Sequence, residues 1–188
     1  MARRVVLDAC VLYPVALRDS LLRLAELDLL QVVWSRRILN ELRTAIHRQR
    51  PDIAISRVDL MVDAMRTAFP EAEVDGWEFL ESEMRNHPHD RHVLALAVHA
   101  EAHAVVTSNL KHFPAAACEP FGIEAIAPDE LLCRLLETDP AAVTRMVLQF
   151  SRDTSNPPMS VDDVLDAISR SAPRFGARAR TAISHLSD

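Results

Sequence analysis

The sequence predicts an α/β fold: a short, mostly parallel sheet with helices on both faces, followed by a helical appendage. Three observations predict it. Short apolar runs rich in β-branched residues alternate with stretches of helical periodicity, the pattern of βαβ crossovers. Several of these runs end at a polar side chain able to do chemistry. From about residue 138 onward the runs stop and amphipathic helical segments alone remain. The expected units are therefore 1–137, bearing the sheet, and 138–188, a helical extension.

Val5, Val6 and Leu7 form the first buried strand, with Asp8 at its carboxyl end. After Tyr13-Pro14 the recurrence of Leu17, Leu21, Leu24 and Ala25 marks a helix to about residue 28. Residues 30–34 read as a second strand. Ser35 suits the N-cap of a helix over 36–48, whose apolar stripe is Ile38, Leu42, Ala45 and Ile46. Glu41 lies on the flank of that stripe, an uncomfortable place for a purely structural glutamate. A further helix covers about 52–68 and stops at Phe69-Pro70. The acidic stretch 71–83 reads as a solvated connection to the turn at Pro88. Asp90 stands where the next helix begins, with Val93, Leu94 and Ala97 on its buried face. Residues 104–106 form a buried strand, Asn109 lies just past its carboxyl end, and 122–126 make a last short strand. Pro128, Asp129 and Glu130 suit the first turn of a helix to about residue 137. In the extension, 139–150 is an amphipathic helix and Asn156-Pro157-Pro158 a break. Ser160 and Asp163 then open a helix to about 171 in a capping-box pattern, and a basic helix runs over 175–185.

Composition removes several classes of function. With 188 residues and 49% of them hydrophobic, the chain can bury a real core. A formal charge of −6 argues against a protein that coats nucleic acid while allowing a local basic groove. Only three glycines occur, far apart, so neither a Walker-type phosphate loop nor a dinucleotide fingerprint can be built. Cys10, Cys118 and Cys133 lack metal-ligand spacing and are expected to be reduced thiols. Cys10 in particular has nothing nearby in sequence that would activate it as a nucleophile. No apolar run is long enough to span a bilayer and the amino terminus carries no signal-peptide pattern, so the expectation is a cytosolic chain with no membrane partner.

Asp8, Glu41 and Asp90 come from three elements whose ends a parallel sheet brings to one edge, where ligands of open α/β sheets bind. Carboxylates brought together repel one another unless a cation sits among them. The matching cation is hard and oxygen-loving, Mg²⁺ or Mn²⁺, able to activate water and neutralise charge on a phosphodiester.

Four segments carry a resemblance. Val5-Val6-Leu7-Asp8-Ala9, Ile38-Leu39-Asn40-Glu41-Leu42, His89-Asp90-Arg91-His92-Val93-Leu94-Ala95 and Val106-Thr107-Ser108-Asn109-Leu110-Lys111-His112-Phe113-Pro114 resemble the ordered acidic motifs of the PIN-domain nucleases. The likeness spans about residues 4–132 and is nearest the bacterial branch containing VapC-type toxins of type II toxin–antitoxin systems. It implies a three-layer α/β/α domain that cleaves RNA with Mg²⁺ or Mn²⁺ and is inhibited by a cognate antitoxin protein. Asp8, Glu41 and Asp90 match the family's acidic positions, with Asp8 and Asp90 as the main metal ligands. The fourth position departs from the pattern, because Asn109 replaces an aspartate common there and removes one negative charge.

Arg43, Arg91 and Lys111 flank these motifs and are the expected phosphate contacts, with His47 and Arg50 at helical spacing beyond Arg43. A homodimer is among the assemblies the sequence leaves open. Two rival readings accompany this one. His87, His89 and His92 around Asp90 form a string that a zinc hydrolase could use. Alternatively the chain is a PIN-like binding module for RNA or protein, weakened at Asn109 and acting through its helical extension.

Overall fold

The computed structural model describes residues 3–184. Four strands, β1 (Arg3–Leu7), β2 (Leu30–Val33), β3 (Ala104–Val106) and β4 (Glu124–Ile126), form one parallel sheet in the order β2-β1-β3-β4. Val5, Val6, Leu7, Val105 and Val106 are completely buried, as expected for central strands covered on both faces. All four strands were expected from their apolar runs, and the α/β class holds.

The strand order fixes where the helices go. The chain leaves β1 for β2 through α1 (Ala9–Leu12) and α2 (Val15–Glu26). It returns in the opposite direction, past β1 to β3, through α3 (Arg36–Gln49), α4 (Ile55–Ala68) and α5 (Arg91–His99). Right-handed crossovers running in opposite directions place their helices on opposite faces. Accordingly α2 packs on β2, and α5 packs on β1 and β3. After β3 come α6 (Ala115–Cys118) and β4, and then α7 (Pro128–Thr138), α8 (Pro140–Asp153), α9 (Val161–Ser169) and α10 (Pro173–Ser184). The last residue of the expected final helix, His185, lies outside the described residues.

These last helices share the core with the sheet. α8 and α9 pack on α2, and α7 packs on α8 and α10. One continuous apolar cluster runs from Val5 to Ala179. The expected unit boundary, between 137 and 138, falls inside the last turn of α7, and only Asp139 separates α7 from α8. Among the described residues no helix is long and apolar enough to cross a membrane.

Two departures from expectation matter for the site. The stretch 71–83 is more than a solvated acidic connection: Ala72 and Trp77 are buried, and the backbone of 72–74 bonds to Trp34 beside β2. Its acids are anchored too, Glu73 to Arg66 and Glu81 to Arg37. Charge density hid the apolar positions Ala72, Val74, Trp77, Leu80 and Met84 that hold the segment down. The other departure is α1, one turn immediately after Asp8. It begins as soon as β1 ends, so the Asp8 carbonyl accepts from the N–H groups of Val11 and Leu12.

Candidate active site at the carboxyl edge of the sheet

The chain reverses direction across the sheet between β1 and β3, whose carboxyl ends therefore open a crevice. Asp8 follows β1, and its N–H donates to the Val106 carbonyl at 3.1 Å, prolonging the strand pair by one residue. The side chain is only 4% exposed. Its Oδ2 accepts from the Thr107 hydroxyl at 2.7 Å and from the Cys10 thiol at 3.1 Å. Both donors are neutral, and among the described residues no cation pairs with Asp8. Burial, then the nearby Asp8 charge, push the Cys10 thiol up to about 11, so it stays protonated and serves as a donor. Cys10, Cys118 and Cys133 are all free thiols.

Thr107 joins the two strand ends. Its Oγ1 donates to Asp8 and accepts the Asn109 backbone N–H at 3.0 Å, so Asn109 is held one short loop from the carboxylate. The Asn109 carbonyl accepts from His112 N–H at 2.8 Å, closing a tight turn over residues 110–112. That turn delivers His112 to Asp90: Nδ1 lies 2.8 Å from Asp90 Oδ2. Asp90 ends a turn that starts at Pro88, and the Asn86 amide donates to its carbonyl at 3.0 Å.

Glu41 reaches the same helix from the other side. His92, 1% exposed on α5, places Nε2 3.1 Å from Glu41 Oε1. The other ring nitrogen, Nδ1, is buried without a hydrogen-bond partner. An unpartnered lone pair costs less than an unpartnered N–H, so the neutral ring carries its proton on Nε2 and donates it to Glu41. Asp8 and Asn109 are thus tied together through Thr107, Asp90 joins the Asn109 turn through His112, and Glu41 is linked to the start of α5 through His92.

The remaining expectations fare unevenly. Arg91 and Lys111 have no ion-pair or hydrogen-bond partner among the described residues, which leaves both cations free near Asp90 and Asn109. Arg43 is differently placed. Two positions along a helix turn a side chain by about 200°, so Arg43 points away from Glu41. Its guanidinium binds Asp59 at 3.0 Å and Asn40 at 3.0 Å, joining α3 to α4. Arg50 is likewise paired, with Asp52. The histidine string does not form one site: His89 is exposed and His92 is turned to Glu41. In place of those two, His87 meets Asp90 and His112. Sequence reasoning passed over His112 and Thr107, although both lie inside the fourth quoted segment.

The PIN domain family model matches residues 4–111, more than half of the chain. The chain belongs to the PIN-domain family. Within this PIN protein a second family model, the VapC50 C-terminal domain, matches residues 128–181, which covers α7 to α10. A curated relative from Mycobacterium tuberculosis (strain ATCC 25618 / H37Rv), named "Putative ribonuclease VapC50", is 40% identical over 105 residues. That match covers 56% of this PIN chain and 62% of the relative, so the chain spans somewhat under two thirds of the relative's length. No solved structure matches.

Proposed function

We propose that this PIN-domain chain is a divalent-metal-dependent endoribonuclease, the toxin of a type II toxin–antitoxin pair, acting on RNA phosphodiester bonds in the cytoplasm. The observation that carries the reading is Asp8: a buried carboxylate at the topological switch point, held by two neutral donors and lacking a cationic partner. A buried charge left in that state is costly, and a bound cation offsets the cost. The name of the mycobacterial relative supports ribonuclease chemistry.

Asp8 and Asp90 would hold Mg²⁺ or Mn²⁺, which when bound neutralises phosphate charge and lowers the pKa of water. The chain's own side chains set up the rest. Thr107 fixes the Asp8 carboxylate, leaving Oδ1 for other ligands. His92 holds Glu41 in one orientation, so that its second oxygen can accept a proton from water. Asn109 adds an amide at the strand end without adding charge. Arg91 and Lys111 contact RNA phosphates and position the strand without reading its sequence. Arg43, paired with Asp59, supports α3 and α4 and leaves the substrate to the other two cations. Division of labour between units 1–137 and 138–188, inhibition by a small antitoxin protein, and a homodimer belong to the same proposal.

The deciding experiment is RNA cleavage by the purified chain with Mg²⁺ or Mn²⁺, with chelator added, and with Asp90→Asn. Turnover is expected only for the unmodified chain with metal. Cleavage that survives both chelation and the substitution sinks the mechanism. Expression of the chain in a bacterial host, alone and together with any small antitoxin-like protein encoded beside it, tests the toxin assignment, growth arrest relieved by the partner being the expected result.

A further inference from the structure

Beside the Asp8 corner, nitrogen donors gather around a single carboxylate. His87 and His112 lie on separate loops that are fastened together, the His87 N–H donating to the His112 carbonyl at 3.0 Å. Both rings turn Nδ1 toward one oxygen, Asp90 Oδ2, at 3.4 and 2.8 Å. Among the described residues this is the group of three His, Cys, Asp or Glu ligand atoms lying within 4.8 Å of one another. Ligands about 2.0–2.1 Å from a tetrahedral zinc ion stand about 3.3 Å apart, so the spacing is close to that required.

We infer that His87, Asp90 and His112 form a binding site for a borderline divalent transition ion such as Zn²⁺. Two imidazoles and one carboxylate suit zinc, cobalt or nickel, whereas magnesium prefers oxygen donors and its own waters. Three protein ligands leave a coordination position to water, so the ion is exchangeable and not a structural staple. The two rings stack with centroids 4.2 Å apart and planes 15° from parallel, and His87 Nδ1 also accepts from the His89 backbone N–H at 3.4 Å. Binding therefore needs one ring to swing, and His87, 41% exposed, is the one with room. His89 stacks on His87 with centroids 5.5 Å apart. Because Asp90 also serves the proposed nuclease, zinc at this site withdraws it from the hard cation and opposes magnesium-dependent cleavage; this consequence alone rests on the nuclease reading.

The test uses the full chain stripped of metal by chelator, titrated with Zn²⁺ by calorimetry and with Co²⁺ by visible absorption. One Zn²⁺ per chain is expected, retained in a large excess of Mg²⁺, with a d–d spectrum for the cobalt form. His87→Ala, at an exposed position, and His112→Asn each weaken zinc binding about tenfold or more and bleach the cobalt spectrum. Asp8→Asn weakens binding less than His112→Asn does, because it removes a nearby charge but no ligand, and Cys118→Ser, in α6, leaves binding within about twofold. Absence of zinc binding overturns the assignment, as does a His87→Ala chain that binds like the unmodified one. So does an Asp8→Asn chain that fails as badly as His112→Asn, since the ion would then sit among the acids. The titration needs no RNA: a chain that binds zinc yet cleaves no RNA with Mg²⁺ or Mn²⁺ in the absence of zinc refutes the nuclease reading alone, and magnesium-dependent cleavage without zinc binding refutes this site alone.

Discussion

The sheet edge around Asp8 and Asp90 and the helices α8 to α10 obey different rules. In the helices every level agrees. Asp139 caps α8 by accepting from Ala142 N–H at 2.8 Å, and Ser160 with Asp163 closes a full capping box on α9. Arg178 pairs with Glu137 and Arg180 with Asp166, each at 2.7 Å, while Val164, Ile168 and Phe175 are fully buried. Near the sheet edge several buried polar atoms are under-satisfied. Of the six buried side-chain atoms without a partner among the described residues, Asn86 Oδ1, Arg91 Nε and His92 Nδ1 cluster within seven positions. Only Thr144 Oγ1 comes from α8 to α10. Sequences depart from local consistency chiefly where function demands it. Substitutions at the edge should therefore change activity, and substitutions in the helices should change stability.

The largest expected effect falls in the helices. Phe175→Ala, in a fully buried position, lowers unfolding free energy by about 3–5 kcal/mol in urea denaturation. RNA cleavage at temperatures where the variant stays folded remains within about twofold. A large loss of kcat in the folded variant would break the comparison. Next comes Asp8→Asn, which cuts kcat/KM for RNA at least about a hundredfold while the urea midpoint holds or rises, because a buried unpaired charge is gone. Smaller again are the supporting groups. Thr107→Val keeps the shape but removes the hydroxyl from Asp8, and His92→Phe removes the donor from Glu41; each lowers kcat about tenfold with KM little changed. His92→Gln, which restores an N–H donor, recovers part of that loss, a recovery that a purely packing role for His92 would not produce.

The smallest effect concerns pH. The Ser160 hydroxyl and N–H hold the Asp163 carboxyl below its ordinary range. A depressed carboxyl stabilises the fold above its unfolded pKa, and that contribution is lost as pH falls through the native value. The difference in urea midpoint between the unmodified chain and Asp163→Ala should thus be full near neutrality and shrink as the pH falls through the lowered native value. A difference that persists in acid would mean that the cap depends on shape instead of charge.

Local chemistry made the helices and strands readable from sequence. Ser35 accepts from Ile38 N–H as its position suggested, and the Ser160 and Asp163 pair behaves as its spacing predicts. Asp8, Asp90 and Asn109 could be placed at element ends because a strand or helix boundary is a local event. What could not be read was long-range. The Thr107 bond to Asp8 spans 99 positions and that of His112 to Asp90 spans 22, and no periodicity encodes either. Arg43 misled for the opposite reason: its nearness to Glu41 in sequence concealed a rotation to the far side of α3, where Asp59 waits. Trp77 and Met84 were masked by the glutamates around them.

The pairing of β1 with β3 has a consequence in time. Asp8 leaves the ribosome early, but its partner Thr107 follows about a hundred residues later, at roughly 5–20 residues per second. For those several seconds the amino-terminal acid has no strand beside it and no hydroxyl to fix it. The Asp8–Thr107 corner therefore forms only once β3 has been made, and premature release before residue 107 yields a fragment without it.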